Sequence, residues 1–469
     1  MSQKAARRGA FAALMIALGQ GAGCSSGGGA APPVGESSGG GGGGSSATGG
    51  SGSGGGAASS TGGVPAPADG GADQNAAPAD AAGLTDAQAM VNAPGISLSL
   101  YAVIADAVVK RYDPIKGDLN RVEMPPRSTL LATVPAGTRS VEFKVAGARV
   151  SVVDAAPFLM NQLNGKASAW AVDPGSYDVS VFTYAAAGAQ GSPTGQFAQT
   201  IRILRTGMDP GFVAQDDATN LAWIAANMMS VMIPSTYTST TGHVLPFRLY
   251  TPRFVSKDVK YPLLVFLHGS SAKGTDNMNT LTKTIFTGPR SVVSPNMQDQ
   301  FPAFVLVPQC DPNEEWATYL NGVNGADGSY TMGPQPSEAE RATLELIDKN
   351  LQELPLDPAR VYLTGVSMGG IGVWDFTARR PTLFACGVPM AGFSDRSTAE
   401  TIKNIPFWIF HGGADMTNPK IGSELMAAKL KMVGDKVVIL TEYPGLDHNP
   451  TFDKAWTDEP ELLPWIFSW

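Results

Sequence analysis

One short segment, residues 360–376, restricts what this chain can fold into. It reads RVYLTGVSMGGIGVWDF, in which a β-branched and aromatic run is followed by a small-residue turn and then by a helical pattern. The turn has the pattern G-x-S-x-G, whose glycines tolerate the tight bend that exposes a serine at the carboxyl end of a strand. The chain has 55 glycines in 469 residues, so chance matches to this pattern are expected. Its strand-turn-helix context favours Ser367 as a nucleophile over a plain structural turn.

Buried strands alternate with helices through the second half of the chain. Residues 261–267 and 303–308 are almost uniformly apolar, as central parallel strands are. Between them and the serine turn, Ser337 with Glu340 forms a capping-box pattern that predicts a helix ending before Pro355. Further strands are predicted at residues 387–390, 407–410 and 436–440. This alternation predicts an α/β class, with a mostly parallel sheet flanked by helices.

The first half of the folded region has a different sequence pattern. Strands with alternating patterns are predicted at residues 96–104, 140–145, 177–183 and 198–204, with no long helical period between them. An all-β sandwich over residues 95–207 is the prediction. Residues 208–236, with one helix near 219–229, are assigned to a connector, and residues 237–469 to the α/β domain.

Residues 1–24 have the composition of an export signal. Lys4, Arg7 and Arg8 precede an apolar run over residues 10–18, which is too short to span a bilayer permanently. Cys24 closes a segment that resembles a bacterial lipobox, which predicts lipidation and anchoring to the cell envelope; simple secretion is the alternative. Residues 25–94 are rich in Gly, Ser, Ala and Pro and are predicted to be a disordered linker.

Charge and cysteine content exclude several function classes. The 33 Lys and Arg residues stand against 41 Asp and Glu, a net charge of −8, which disfavours a nucleic-acid partner. No C-x-x-C pair or H-E-x-x-H helix suggests a metal site, and we predict no metal and no cofactor. Cys310 and Cys386 are predicted at opposite ends of the sheet, and therefore as two free thiols.

A serine nucleophile needs a base within hydrogen-bond reach and an acid that holds the base. Hydrolases with such a serine turn order the three residues as serine, acid and histidine along the chain, each at the carboxyl end of a strand. Ser367, Asp415 and His448 satisfy both conditions. Asp447 and Asp395 are the competing acids, and the remaining histidines are predicted to be structural or exposed.

Residues 237–469 resemble the secreted α/β-hydrolase serine esterases of the polyhydroxybutyrate-depolymerase-like and feruloyl-esterase-like group, in which some relatives are labelled predicted peptidases. The likeness lies in the G-x-S-x-G turn and in five further motifs: LYTP (residues 249–252), LHG to GTDN (267–277), PQC (308–310), HGGAD (411–415) and YPG (443–445). Residues 95–207 similarly resemble immunoglobulin-like modules of bacterial extracellular proteins. The tripeptide SAK at residues 271–273 departs from the group pattern, which leaves the substrate open.

The resemblance implies an esterase that acts through an acyl-enzyme, with oxyanion-hole N–H groups from Met368 and Ser270. Trp316 and Trp456 are candidate substrate-binding residues, and residues 311–336 are a candidate pocket wall or a plain surface excursion. The expected substrate is a small-molecule or polymer ester, including plant-glycan-linked esters. Serine peptidase activity on the same fold, and a glycan-binding surface protein with an inactive hydrolase domain, are the alternatives.

Overall fold

The computed structural model describes residues 92–104, 107–163, 166–170, 173–282, 288–324, 326–435 and 437–469. The predicted export signal, Cys24 and nearly all of the predicted linker lie outside these residues. In the part of the chain described, no helix is both long and apolar enough to cross a membrane.

The first part of the described chain is built from strands alone, apart from one short 3-10 turn. The strands are β1 Ser97–Ile104, β2 Ala107–Tyr112, β3 Leu119–Asn120, β4 Ser128–Thr133, β5 Ser140–Val145, β6 Ala148–Val153, β7 Gln162–Leu163, β8 Lys166–Ala167, β9 Gly175–Tyr184 and β10 Gly195–Leu204. They form a three-stranded sheet, β2-β1-β4, and a five-stranded sheet, β3-β10-β9-β5-β6, with β7 and β8 paired separately. All pairs are antiparallel except β3 with β10.

The two larger sheets share one hydrophobic core. Leu98 and Leu100 of β1 and Val179 and Val181 of β9 belong to a single buried cluster. Their spacing of two residues places each pair on one face of its strand. The predicted all-β region is therefore two sheets closed over a common apolar interior, and its immunoglobulin-like classification stays a prediction.

The second part of the chain alternates strands and helices. The strands are β11 Met232–Thr238, β12 Val244–Tyr250, β13 Tyr261–Leu267, β14 Phe304–Pro308, β15 Tyr319–Asn324, β16 Ser329–Met332, β17 Leu356–Val366, β18 Cys386–Met390, β19 Phe407–Gly412 and β20 Val438–Tyr443. The helices are α1 Asp217–Val231, α2 Asn279–Thr282, α3 Gly288–Val292, α4 Pro295–Gln300, α5 Glu338–Glu353, α6 Met368–Arg379, α7 Ala399–Ile402, α8 Ile421–Met432, α9 His448–Asp458 and α10 Leu462–Ile466.

Eight of these strands form one sheet in the order β11-β12-β14-β13-β17-β18-β19-β20. The strands β11 and β12 are antiparallel to their neighbours, and the other six strands, β13, β14, β17, β18, β19 and β20, run parallel. Alternate residues of β13 enter two different cores, Val265 on one face and Phe266 on the other, so this strand is buried on both sides. The strand order and the helices on both faces are those of the α/β-hydrolase fold.

The sheet begins earlier than predicted. The edge strand β11 starts at Met232, inside the segment 208–236 that was assigned to a connector. Most of its side chains are exposed, so it lacks the apolar run that marks a buried strand, and only its ladder with β12 defines it. The domain boundary therefore falls at the end of α1.

The two remaining cysteines are free and buried, which confirms the prediction of two free thiols. Cys310 follows the carboxyl end of β14, and Cys386 begins β18. Burial raises the pKa of both thiols well above the ordinary value. Both are therefore protonated and unreactive at neutral pH.

Candidate active site

Ser367 occupies a strained turn between β17 and α6. Its backbone has φ 56° and ψ −117°, a conformation that non-glycine residues rarely adopt. A Cβ atom placed on Gly365 would lie 2.4 Å from the carbonyl oxygen of Gly369, and one on Gly369 would lie 2.0 Å from the carbonyl oxygen of Leu267. Only glycine fits at either position. The two glycines of the motif are thus required by close backbone approach, and the turn presents Ser367 at the carboxyl edge of the sheet.

His448 lies beside this serine although 81 residues separate them in sequence. Its Nε2 is 2.8 Å from the Ser367 Oγ, and the imidazole is nearly buried. The residue is the first of α9, directly after the loop that follows β20. Asp447 is the N-cap of this helix, and its carboxylate accepts from the His448 N–H at 2.7 Å. Asp447 therefore fixes the backbone of His448 and does not contact its ring.

Asp415 contacts the opposite side of the imidazole. Its Oδ2 is 2.7 Å from the His448 Nδ1, while its Oδ1 accepts from the N–H groups of Thr417 at 2.9 Å and Asn418 at 2.8 Å. Burial alone would raise the pKa of Asp415, but hydrogen bonds from His411, His448 and the Asn418 N–H outweigh it and hold the pKa well below the usual range. An ionised Asp415 can only accept, so the imidazole donates from Nδ1 and leaves Nε2 free to accept from Ser367.

Asp395, the other competing acid, has different partners. Its Oδ2 accepts from the N–H of Met332 at 2.8 Å, and its Oδ1 accepts from the N–H of Ser397 at 2.9 Å. It caps a short 3-10 turn after β18. The structure thus brings together Ser367, His448 and Asp415 and engages both alternative acids elsewhere.

The two predicted oxyanion donors lie at the same edge of the sheet as Ser367. Met368 is the first residue of α6, so its N–H has no partner within the helix. Ser270 begins a 3-10 turn three residues after β13 ends, and the last residue of β13, Leu267, pairs with Gly365. Both N–H groups therefore belong to backbone next to the serine turn.

A polar network that the sequence analysis missed supports the loop after β13. The Gln309 side chain accepts from the Asn277 N–H at 2.7 Å and donates to the Ala272 carbonyl at 3.2 Å and to Asp276 at 2.9 Å. The buried guanidinium of Arg248 donates to the Asn277 carbonyl. Gln309 is fully buried, and this network joins the end of β14 to the loop that carries Ser270. The sequence offered only the PQC and GTDN motifs as a signal.

Replacing Gln309 with leucine is expected to lower kcat for ester hydrolysis by about 10²-fold with little change in KM. The variant removes the hydrogen bonds that hold the loop carrying Ser270, and a small displacement of an oxyanion donor weakens its stabilisation of the transition state. Steady-state kinetics on a p-nitrophenyl ester check this. Asn350→Leu is the matched control, since it also replaces a buried amide but lies on α5, near the opposite edge of the sheet. Equal losses in both variants would refute the positioning role.

His268 and His411 have structural roles. His268 is fully buried; it donates from Nδ1 to the Gly269 carbonyl at 2.7 Å and accepts at Nε2 from the Cys310 N–H at 3.0 Å. Burial lowers the pKa of His268 to about 4, so the ring is neutral at neutral pH. The His411 ring bonds Ser423 at 2.7 Å and the Asn418 carbonyl at 2.8 Å, which steadies the loop that carries Asp415.

Neither tryptophan suggested for substrate binding is open to a ligand. Trp316 has no exposed surface, and its indole N–H donates to the His268 carbonyl at 2.9 Å. It packs against Gly372 of α6, where the absence of a side chain provides the space. A Cβ atom on Gly372 would lie 2.7 Å from the Trp316 Cβ. Trp456 is 8% exposed and packs on the Gly288 backbone and the Phe266 ring. Both are core residues, and that part of the site prediction is corrected.

The segment 311–336 contains the hairpin of β15 and β16. Tyr330 of this hairpin shares a small apolar cluster with Ile371 and Phe393. Ile371 lies in the first turn of α6, where its N–H donates to the Ser367 carbonyl at 3.0 Å, and Phe393 lies in the loop after β18. The hairpin therefore packs beside the serine turn.

No group of three His, Cys, Asp or Glu side chains among the described residues is arranged to hold a metal ion.

Comparison with known proteins gives limited likenesses. The model of the prolyl oligopeptidase family (Peptidase_S9) matches residues 343–419, a minor part of the chain that includes Ser367 and Asp415 and ends before His448. No curated protein matches the sequence at a significant level.

Solved structures with related folds include hydrolases of several kinds. A thermostable esterase is 24% identical, over 79% of this chain and 89% of its own, with a TM-score of 0.46. The feruloyl esterase module of Clostridium thermocellum, an S954A mutant in complex with sinapinate, is 14% identical over 50% and 87%, with a TM-score of 0.36. An S-formylglutathione hydrolase from Agrobacterium tumefaciens is 18% identical over 50% and 93%, with a TM-score of 0.36. Such distant likenesses do not assign a substrate.

Proposed function

We propose that this protein is an exported serine hydrolase that cleaves carboxylic esters. The observation that carries the proposal is the pair of hydrogen bonds that joins Ser367 to His448 at 2.8 Å and His448 to Asp415 at 2.7 Å. An ionised acid, a correctly oriented imidazole and a strained serine at a helix N-terminus are the elements that activate a hydroxyl for acyl transfer.

In the proposed mechanism, the Oγ of Ser367 attacks the ester carbonyl carbon while its proton passes to the Nε2 of His448. Asp415 stabilises the resulting imidazolium. The N–H groups of Met368 and Ser270 bind the oxyanion, each worth about 3 kcal/mol in the transition state. The imidazolium then protonates the departing alcohol, which leaves an acyl-enzyme. Water repeats the attack with His448 as base, releases the acid and restores Ser367.

The substrate class is proposed from the surroundings of the serine. The hairpin of β15 and β16 would form one wall of the pocket, because Tyr330 packs on Ile371 directly after the serine turn. An apolar wall of this kind suits an ester with an apolar or aromatic acyl group, including an ester within a polymer or attached to a plant glycan. A screen over short-chain, hydroxybutyrate, feruloyl and acetyl-glycan esters would identify the preferred group.

Peptide hydrolysis is the second candidate, and the match to the prolyl oligopeptidase family is the observation that favours it. A comparison of kcat/KM for p-nitrophenyl esters with that for peptide p-nitroanilides separates the two. We expect turnover of the esters and no turnover of the anilides above background. A higher kcat/KM on the anilides would make the protein a peptidase. Turnover of neither class would favour the inactive, glycan-binding alternative.

Export and lipidation at Cys24 are part of the proposal and rest on the sequence of residues 1–24. Incorporation of labelled palmitate into the full-length chain tests them. We expect label in the wild type and none in Cys24→Ser, and an unlabelled wild type would leave simple secretion as the route.

A further inference from the structure

A cavity lies away from Ser367, where the segment after β10 meets the large sheet. Its volume is about 120 Å³. Aromatic and proline residues make up half of its lining; the ones that matter here are Phe212, Trp223, Tyr250, Phe254, Pro295 and Pro302.

This cavity is at the opposite edge of the sheet from the candidate active site. Tyr250 ends β12, which runs antiparallel to β14, and it pairs with Val305 near the start of β14. Phe247, three residues earlier, pairs with Pro308 at the carboxyl end of β14. The carboxyl ends of the parallel strands carry Ser367, so the cavity belongs to the amino-end edge. A molecule bound there does not contact the nucleophile.

Tyr250 lines the cavity with a hydroxyl group that the described part of the protein leaves without a hydrogen bond. The side chain is 6% exposed, and within the described ranges no protein group forms a hydrogen bond with its hydroxyl. Burial raises the pKa of Tyr250 well above the ordinary value, so the hydroxyl stays protonated and can donate. A protonated hydroxyl that no protein group engages can donate a hydrogen bond to a ligand in the cavity.

The wall also carries polar groups of both charges. The exposed Arg253 guanidinium lies over the Phe254 ring, 5.2 Å from its centroid, and Asp209 accepts from the Gly211 N–H at 2.9 Å. The Gln298 amide donates to the carbonyls of Val292 at 3.0 Å and Ala303 at 3.2 Å, and Asp299 pairs with Arg205. A sugar ring, with many hydroxyl groups, would require several directed partners. An anion drawn to Arg253 would also face the carboxylates of Asp209 and Asp299, and a cation would face Arg253, so the wall favours neither charge. The lining instead suits a neutral, flat and mainly apolar molecule.

We propose that this cavity binds a neutral single-ring aromatic molecule that carries one hydrogen-bonding substituent, the substituent contacting the Tyr250 hydroxyl and the ring packing against Trp223 and Phe254. Phenol is the simplest such molecule. An apolar protein cavity of about 150 Å³ is known to take up benzene, so the size is appropriate for one ring.

The test measures phenol and benzene binding by ligand-observed NMR titration, on the full chain after Ser367 has been blocked with a fluorophosphonate. We expect both ligands to bind the blocked wild type. Tyr250→Phe should weaken phenol about five-fold and leave benzene unchanged, because it removes one hydrogen bond. Trp223→Ala should weaken both ligands.

Tyr443→Phe is the matched control, because Tyr443 is also nearly buried and its hydroxyl also has no hydrogen-bond partner among the described residues, yet it lies on β20. We expect it to leave phenol affinity unchanged, and circular dichroism checks that each variant is folded. The proposal is overturned if millimolar phenol does not bind the blocked protein, or if Tyr250→Phe and Tyr443→Phe bind phenol equally.

Discussion

Replacing Ser367 with alanine is expected to lower kcat for ester hydrolysis by about 10⁴-fold or more while the protein stays folded. The reason is that His448 Nε2, 2.8 Å from the Oγ, then has no hydroxyl to activate, and only oxyanion binding and positioning remain. Alanine also fits the strained φ of 56° no worse than serine, so little stability should be lost. The measurement is kcat on a p-nitrophenyl ester with thermal unfolding beside it.

Ser151→Ala is the control for that variant, because it removes a serine hydroxyl from β6, in the N-terminal sheets. It is expected to leave kcat unchanged. A Ser367→Ala protein that retains the wild-type rate would mean that the nucleophile lies elsewhere.

Replacing Asp415 with asparagine is expected to lower kcat by about 10⁴-fold. An asparagine amide can donate its N–H to Nδ1 of His448, which stabilises the tautomer that carries its proton on Nε2. In that tautomer Nε2 cannot accept the proton of the Ser367 hydroxyl. The amide also cannot stabilise the imidazolium that forms when the proton moves. The Oδ1 contacts with Thr417 and Asn418 can be preserved by the amide oxygen, so the loop should keep its shape.

Asp447→Asn separates the two candidate acids. Asp447 caps α9 and does not touch the imidazole, so its loss is expected to cost about 1 kcal/mol of stability or less and to lower kcat far less than Asp415→Asn does. If the two variants lose kcat equally, the assignment of Asp415 as the orienting acid is wrong.

The ionisation of Asp415 also sets the direction of a pH effect on stability. Its pKa is lower in the folded protein than in the unfolded chain. This carboxylate therefore stabilises the fold at pH values above the unfolded pKa of about 4, and the contribution is lost as the pH falls toward the folded value. Asp415→Asn removes this contribution.

Local patterns predicted the elements on which the site is built. The strands at residues 140–145 and 261–267 have the predicted bounds, and Ser337 caps α5 by accepting from the Glu340 N–H at 3.0 Å. The serine turn could be predicted because its strand, glycines and helix are contiguous in the sequence. All of the residues that form the turn therefore lie within one short segment.

Features that depend on contacts between distant segments could not be predicted. Gln309 and Asn277 meet only because β14 and β13 are neighbours, and no local pattern indicates a polar network there. Glu340 fits the capping-box pattern, yet its carboxylate is buried and pairs with Arg379 of α6 at 3.1 Å. Trp316 was a candidate pocket residue because residues 311–336 leave the carboxyl end of a strand, whereas Gly372 of α6, distant in sequence, provides the space that buries it.

The central claim is that Ser367 is an activated nucleophile. Labelling of the purified full chain with a fluorophosphonate, followed by peptide mapping, tests it most directly. The account predicts one adduct, on Ser367, formed together with the loss of esterase activity and much more slowly in His448→Ala. An adduct on another serine, or esterase activity that persists in a chain unlabelled at Ser367, would contradict it.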